Sequence, residues 1–190
     1  MRGRVVFLLE EQSMHNALQG LLPRIFPGWQ EYTHWVAVPH QGKSDLERSI
    51  PRKLKSWRAP GDRFVILRDN DGGDCMALKA RLRELARHKP SEYVLIRIVM
   101  HHLETWFLGD FDALASGYPE HDLTTLRQRA KFREPERLTN ASEEIEKLIP
   151  GYRKTAGATR IAPHLNLARN AAPSFGVFVD GLRTLTATMR

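Results

Sequence analysis

RFVILRDNDGGD, residues 63–74, decides the fold. Phe64, Val65, Ile66 and Leu67 are consecutive and apolar, with no alternation. A strand covered on one face alternates, whereas an unbroken run of this kind belongs to a strand buried on both faces, as in parallel sheets. The run then meets Asp69-Asn70-Asp71-Gly72-Gly73-Asp74, a sequence of turn formers. Asp74 is placed to cap the next helix, CMALKARLRELARH, in which Cys75, Leu78, Leu82 and Leu85 make one apolar stripe.

The same strand–turn–helix reading repeats outward from this stretch. RVVFLL (4–9) is a strand, followed by a helix through MHNALQGLL that should end before Pro23. YTHWVAV (32–38) is a second strand, and Ser44 or Asp45 can cap a helix to about Trp57, which Pro51 should kink or split. EYVLIRIVM (92–100) is the strand after 63–69. Strands alternating with helices predict an α/β protein with a mostly parallel sheet flanked by helices. Beyond about residue 105 the strands stop. EPERLTNASEEIEKLIPGY, ATRIAPHLNLARN and SFGVFVDGLRTLTATM each read as helical. The expected division is an α/β core, residues 1–110, and a helical C-terminal extension, 111–190, packed on it as a single structural unit.

With 190 residues, 42% of them apolar and 27% charged, the chain can build one sizeable core. The apolar run Val5–Leu9 precedes Glu10 and Glu11 and is too short for a leader peptide or a membrane span. The lone Cys75 excludes an internal disulfide, and no Cys/His spacing matches a zinc site. A cytoplasmic protein is expected. The formal charge is +7, and the basic residues gather in ARLRELARHK (80–89), RQRAKFR (127–133) and YRK (152–154). Such runs either attract nucleic acid or are merely solvated helix faces.

Ligands of parallel α/β sheets bind at the carboxyl ends of the strands. Those ends carry Glu10 and Glu11, then Asp69 and Asp71, and beyond the last strand Glu104 and Asp110 in HHLETWFLGD. Carboxylates converging on one rim repel one another unless a hard cation neutralises them, and Mg²⁺ or Mn²⁺ prefers oxygen ligands. Asp74 is the exception, explained by capping alone. A calcium loop is excluded by spacing, since Gly73, Asp74 and Ala80 stand at its fifth, sixth and twelfth positions.

Glu at the end of the first strand and Asp-x-Asp at the end of the third resemble the TOPRIM pattern of topoisomerases, bacterial primases and OLD-type nucleases. More closely, HQGKSDL (40–46), FVILRDNDGGDC (64–75), HHLETWFLGD (101–110), YRKTAGATRIAPHL (152–165) and SFGVF (174–178) look like successive blocks of a bacterial TOPRIM-like family of unknown function. The resemblance implies that Glu10 is a general acid/base or metal ligand and that Asp69 and Asp71 hold Mg²⁺. It also implies that Glu104 matches an added acidic residue of OLD-type nucleases, and that the gene sits beside an ATPase gene in an anti-phage defence module. At two positions the chain departs from the pattern: Glu11 stands where Gly is usual, and Met14 where a second Glu is common.

AVPHQGKS (37–44) fits a relaxed P-loop, which would make the chain an ATPase. Pro39 has no N–H to offer a phosphate, Ala37 belongs to the strand, and that reading leaves Glu10, Asp71 and Glu104 without roles. Lys43 and Ser44 are better read as rim residues that grip a phosphodiester beside the carboxylates. Lys154 and Ser174 are candidates for the same task. His101 and His102 either reach the rim or are structural, and Trp106 and Phe107 read as core. The expected function is a Mg²⁺- or Mn²⁺-dependent nuclease of DNA or RNA, working with an ATPase partner and without a membrane. The alternative is a regulatory subunit that binds nucleic acid without cutting it.

Overall fold

A computed structural model describes residues 3–187 and 189; the expected last helix therefore loses Thr188 from the description. Four strands, β1 (Val5–Leu9), β2 (Trp35–Pro39), β3 (Arg63–Asp69) and β4 (Val94–Val99), form one sheet in the order β2-β1-β3-β4. Every pairing is parallel, with Val5 opposite Trp35 and Arg63, and Phe64 opposite Val94. The fold is thus α/β, flanked by helices α1 (Gln12–Ile25), α2 (Lys43–Ser56) and α3 (Cys75–Leu85) between the strands. After β4 come α4 (Glu104–Leu108), α5 (Phe111–Gly117), α6 (Ala141–Leu148), α7 (Lys154–Ile161) and α8 (Pro173–Ala187).

Alternation along the strands builds two cores. Val6, Leu8, Phe64, Ile66 and Ile96 face α2 and α3, meeting Leu46, Ile50, Leu54 and Leu82. Val5, Phe7, Leu9, Val65, Leu67 and Val99 face the other way, onto α1 and the helices that follow β4. This second core is continuous from Leu18 of α1 to Trp106, Ile161 and Phe178, so the chain after residue 110 shares its apolar interior with the sheet. Trp106 and Phe107 are fully inside it.

Both prolines behave differently from expectation. Helix α2 continues through Pro51 because Leu46, Ile50 and Leu54 stand on both sides of it and are all buried. Each such aliphatic side chain contributes roughly 1.5–3 kcal/mol, together more than the ~3 kcal/mol an interior proline costs. Helix α1 continues past Pro23 because Ile25 is buried and the Phe26 N–H reaches Leu22 O at 2.8 Å, closing the turn. In α3 only Leu82 of the expected stripe is fully buried; Leu78 and Leu85 pack at its margin. Asp74 does cap α3, its Oδ1 accepting from Met76 N at 2.7 Å and Ala77 N at 3.2 Å. The helix after Tyr152 is shorter than its sequence pattern, giving way to a single 3₁₀ turn at Ala162–His164, where Pro163 sits.

Candidate carboxylate site

The strand order creates a switch point. The chain leaves β1 toward β2 on one side, and leaves β3 toward β4 on the other. The carboxyl ends of β1 and β3 flank this switch point, and in open α/β sheets ligands bind at such a point. Glu10 follows β1 directly, and Asp69 closes β3.

Glu10 Oε2 accepts the Asp69 backbone N–H at 3.2 Å and lies 3.7 Å from Arg68 Nε. Burial, and then the charge of Asp71, push the Glu10 carboxyl above its ordinary pKa. Asp69 is 4% exposed, and its Oδ1 has no hydrogen-bond partner. Burial above all, reinforced by Glu10 and Glu104, raises its pKa to about 7 against the lowering influence of His102. His102 Nδ1 stands 3.8 Å from Asp69 Oδ2 and 4.0 Å from Asp71 Oδ1, and Asp69 in turn raises the imidazole pKa. Asp71 Oδ2 is paired with Lys43 Nζ at 3.0 Å.

Asn70 holds the loop in this shape. Its Oδ1 accepts both the Gly72 N–H at 3.2 Å and the His101 N–H at 2.6 Å, and its Nδ2 donates to Gly73 O at 3.0 Å. Asp71 and His101 consequently both adopt left-handed backbone, φ +50° and +59°. That conformation is tolerated best by Gly, Asn and Asp, which suits Asp71. His101 turns away from the rim, its Nε2 3.1 Å from Glu136 O, so of the two histidines only His102 faces the carboxylates.

Glu104 begins α4 and is 1% exposed. Its carboxylate accepts from Ser142 Oγ at 3.1 Å and Tyr152 OH at 3.2 Å. Burial, followed by the Glu104 charge, pushes the Tyr152 phenol well above its usual range, so it remains a donor. Lys154 Nζ is 3.9 Å from Glu11 Oε1. Burial pulls the ammonium pKa down, but Glu104, Glu11, Asp69 and Glu10 outweigh it and leave the pKa raised. Lys154 is therefore held charged beside four carboxylates.

Tyr152 reaches Glu104 only because position 157 is glycine. A Cβ on Gly157 would lie 2.0 Å from Tyr152 Cε2. Gly157→Ala should displace the ring and cost about 1–3 kcal/mol of stability, the usual range for overpacking. Urea denaturation measures this; an alanine variant as stable as the parent would show that the ring has somewhere else to go.

The remaining predicted residues divide. Ser44 is exposed in the first turn of α2, next to Lys43. Ser174 is not on this rim: its Oγ accepts from Trp106 Nε1 at 2.9 Å, and its N–H donates to Glu136 Oε1 at 2.6 Å. Asp110 caps α5 through Ala113 N at 3.0 Å. Met14 is fully buried in the α1 core. The AVPHQGKS loop offers no phosphate cradle. The N–H groups of His40, Gln41 and Gly42 are engaged by Leu9 O (3.0 Å), Asp45 Oδ2 (3.1 Å) and Glu10 O (2.9 Å).

Two structural partners escaped the sequence reading. Arg68 sits 8% exposed between Glu10 and Glu47, and Glu47 also binds Arg81 on α3. The signal was available, since a charge inside a doubly buried strand must have a partner. Ser142, by contrast, comes to Glu104 from far along the chain, and nothing local marks it.

The donor set, all carboxylate oxygen with one buried oxygen unpartnered, suits a hard divalent cation. Among the described residues, however, no three His, Cys, Asp or Glu side chains stand together as a ready ligand group. Arg68 and Lys43 supply counter-charge instead, and His102 stands beside Asp69 and Asp71.

A domain family described as "Domain of unknown function (DUF4276)" matches residues 9–183. No curated protein and no solved structure matches the chain.

Proposed function

The chain belongs to the DUF4276 family, and we propose that it is a divalent-metal-dependent phosphodiester nuclease acting on DNA or RNA. The observation that supports this most is Asp69, a buried carboxylate with an unpartnered oxygen at the switch point, flanked by Glu10 and Asp71. The resemblance to TOPRIM and OLD-type nucleases belongs to the same proposal, as does an ATPase partner in a defence module.

Glu10, Asp69 and Asp71 would hold Mg²⁺ or Mn²⁺, with Glu104 behind them. A bound cation of this kind supplies charge neutralisation at the phosphate and an activated water. Lys43 is half exposed and, among the described residues, pairs only with Asp71, so its ammonium can turn to a phosphate oxygen. The exposed start of α2 at Lys43 and Ser44 favours the same negative charge. Lys154, already charged among the carboxylates, holds the strand from the opposite side.

The assay incubates the chain with single- and double-stranded DNA and with structured RNA, in Mn²⁺ or EDTA, with and without the proposed ATPase partner. Cleavage in Mn²⁺ that disappears in EDTA and in Asp69→Asn is the expected result. Cleavage that survives EDTA overturns the proposal. Binding without cleavage in every condition favours a second reading, a regulatory subunit. That reading draws on Met14 in the core and on the cations Arg68 and Lys43 that already neutralise the rim.

Lys43→Ala should weaken polynucleotide binding by about 3- to 10-fold, as loss of one phosphate contact does. Its effect on stability should be small, because the pair with Asp71 is exposed. Calorimetry should detect no ATP binding that depends on Lys43, since the N–H groups of His40, Gln41 and Gly42 are engaged internally. Micromolar binding of ATP to the parent that Lys43→Ala abolishes would reinstate the P-loop reading.

A further inference from the structure

The basic run RQRAKFR does not touch the carboxylate rim. It folds into short 3₁₀ turns, Thr124–Gln128 and Ala130–Phe132, over the start of α5. Between these turns, α5 and the loop at 166–171 lies a cavity of about 420 Å³. That is within the range of about 300–1,000 Å³ in which small-molecule sites fall.

Its lining is divided by chemistry. Leu108, Phe111 and Phe132 make an apolar floor, the two rings 4.8 Å apart at their centroids. Arg127, Arg133 and Arg169 stand around it. Two acidic residues also line the cavity, and neither neutralises all of this charge. Asp110 is occupied by the N–H groups of Ala113 and Asn166, and Asp112 lies 3.6 Å from Arg127. Among the described residues the guanidinium groups of Arg133 and Arg169 have no hydrogen-bond or ion-pair partner, and both are exposed. The carboxamide N–H₂ of Asn166 and both ends of the Gln128 side chain are likewise unengaged.

We propose that this cavity binds a nucleotide unit, its phosphate on Arg133 and Arg169 and its base over the Phe111–Phe132 floor. Guanidinium forks match phosphate oxygens in geometry as well as charge. An apolar floor beside free amides suits a flat heterocycle with donors and acceptors at its edge, and fits a sugar or an aliphatic acid less well. The site is separate from the carboxylate rim and does not require that the rim be catalytic. The nucleotide comes either free or as the phosphorylated end of a strand, and the two sources share this chemistry.

The test uses the full chain in EDTA at low salt, with AMP, UMP, inorganic phosphate and an oligonucleotide with and without a 5′-phosphate as probes, followed by calorimetry and amide chemical shifts. AMP or UMP should bind at roughly millimolar or better affinity and shift the amides of residues 127–133 and 166–171. The double change Arg133→Gln/Arg169→Gln should weaken binding about 10- to 100-fold, as loss of two charge-assisted contacts does. Asp69→Asn should leave it unchanged, which separates this site from the rim. Both arginines are exposed, and Arg58→Gln, outside the cavity, controls for loss of general charge. If a 5′-phosphate tightens oligonucleotide binding and the double arginine change removes that gain, a strand end is the occupant; if the 5′-phosphate adds nothing, a free nucleotide is. No binding of AMP or UMP, binding indifferent to the arginine changes, or equal weakening by Arg58→Gln overturns the proposal.

Discussion

In EDTA at pH 8, the Asp69→Asn protein should unfold at a higher temperature than its parent. Removing a carboxylate from a sheet rim ordinarily has little effect on stability, so the expected sign rests on the surroundings of this one. Asp69 is buried, and its pKa in the fold is about 7 against 3.8 for the free side chain. The folded state therefore holds a proton that the unfolded chain has already released between about pH 4 and pH 7. Stability contributed by that proton is complete below about pH 4, falls as pH rises through 7, and is absent at pH 8. A difference of about three units corresponds to at most ~4 kcal/mol. His102, raised by Asp69, adds a slope of the same sign at higher pH. Asn keeps the shape and removes the charge, so the variant should lose much of this pH dependence and gain most at pH 8. Mn²⁺ should narrow the difference at pH 8. The parent should gain about 2.7 kcal/mol at a hundredfold excess over its dissociation constant, and the variant nearly nothing. Thermal melts at pH 5 and pH 8, with EDTA and with Mn²⁺, measure all four quantities. A parent more stable at pH 8 than at pH 5 in EDTA would contradict the buried, unpartnered carboxylate.

Arg68→Met should destabilise the protein by about 3–5 kcal/mol, the range for breaking a buried ion pair by removing one partner. Methionine approximates the volume of the aliphatic stem, so packing is largely kept. What is lost is the cation between Glu10, 3.7 Å away, and Glu47. Glu10 is already raised in pKa by burial and by Asp71, and without Arg68 it would rise further. A double change with Glu47→Gln should recover part of the loss, because the uncompensated charge opposite Arg68 is then gone. A coupling near zero in the double-mutant cycle would mean that Arg81, the other partner of Glu47, carries the interaction alone.

The sheet was legible because β3 carries its signature in four adjacent residues, and because the turn after it is written in Asp, Asn and Gly. The acidic strand ends followed from the same stretch. What local sequence does not encode is lateral order. That β1 and β3 are neighbours, with β2 and β4 outside them, depends on how the helices pack, and Glu10 meets Asp69 only through that order. The prolines misled for a related reason. A proline's local penalty is visible in the chain, whereas the burial of Ile50, Leu54 and Ile25 that offsets it is a tertiary quantity. Glu104 was found by its place after β4, but the hydroxyls of Ser142 and Tyr152 that hold it lie 38 and 48 residues away. Ser174 had the right residue type, and its partners, Trp106 and Glu136, place it elsewhere.

Asn70 makes two loops into one lever. A single oxygen, its Oδ1, receives the N–H of Gly72 from the turn after β3 and the N–H of His101 from the turn after β4. Neither turn can swing without surrendering the other's bond, so Asp71 and His102 travel together although thirty residues of helix and strand separate them in the chain. The clock of amide exchange should register this directly. Gly72 and His101 should exchange their hydrogens at closely similar rates, and replacing Asn70 with alanine should set both free at once.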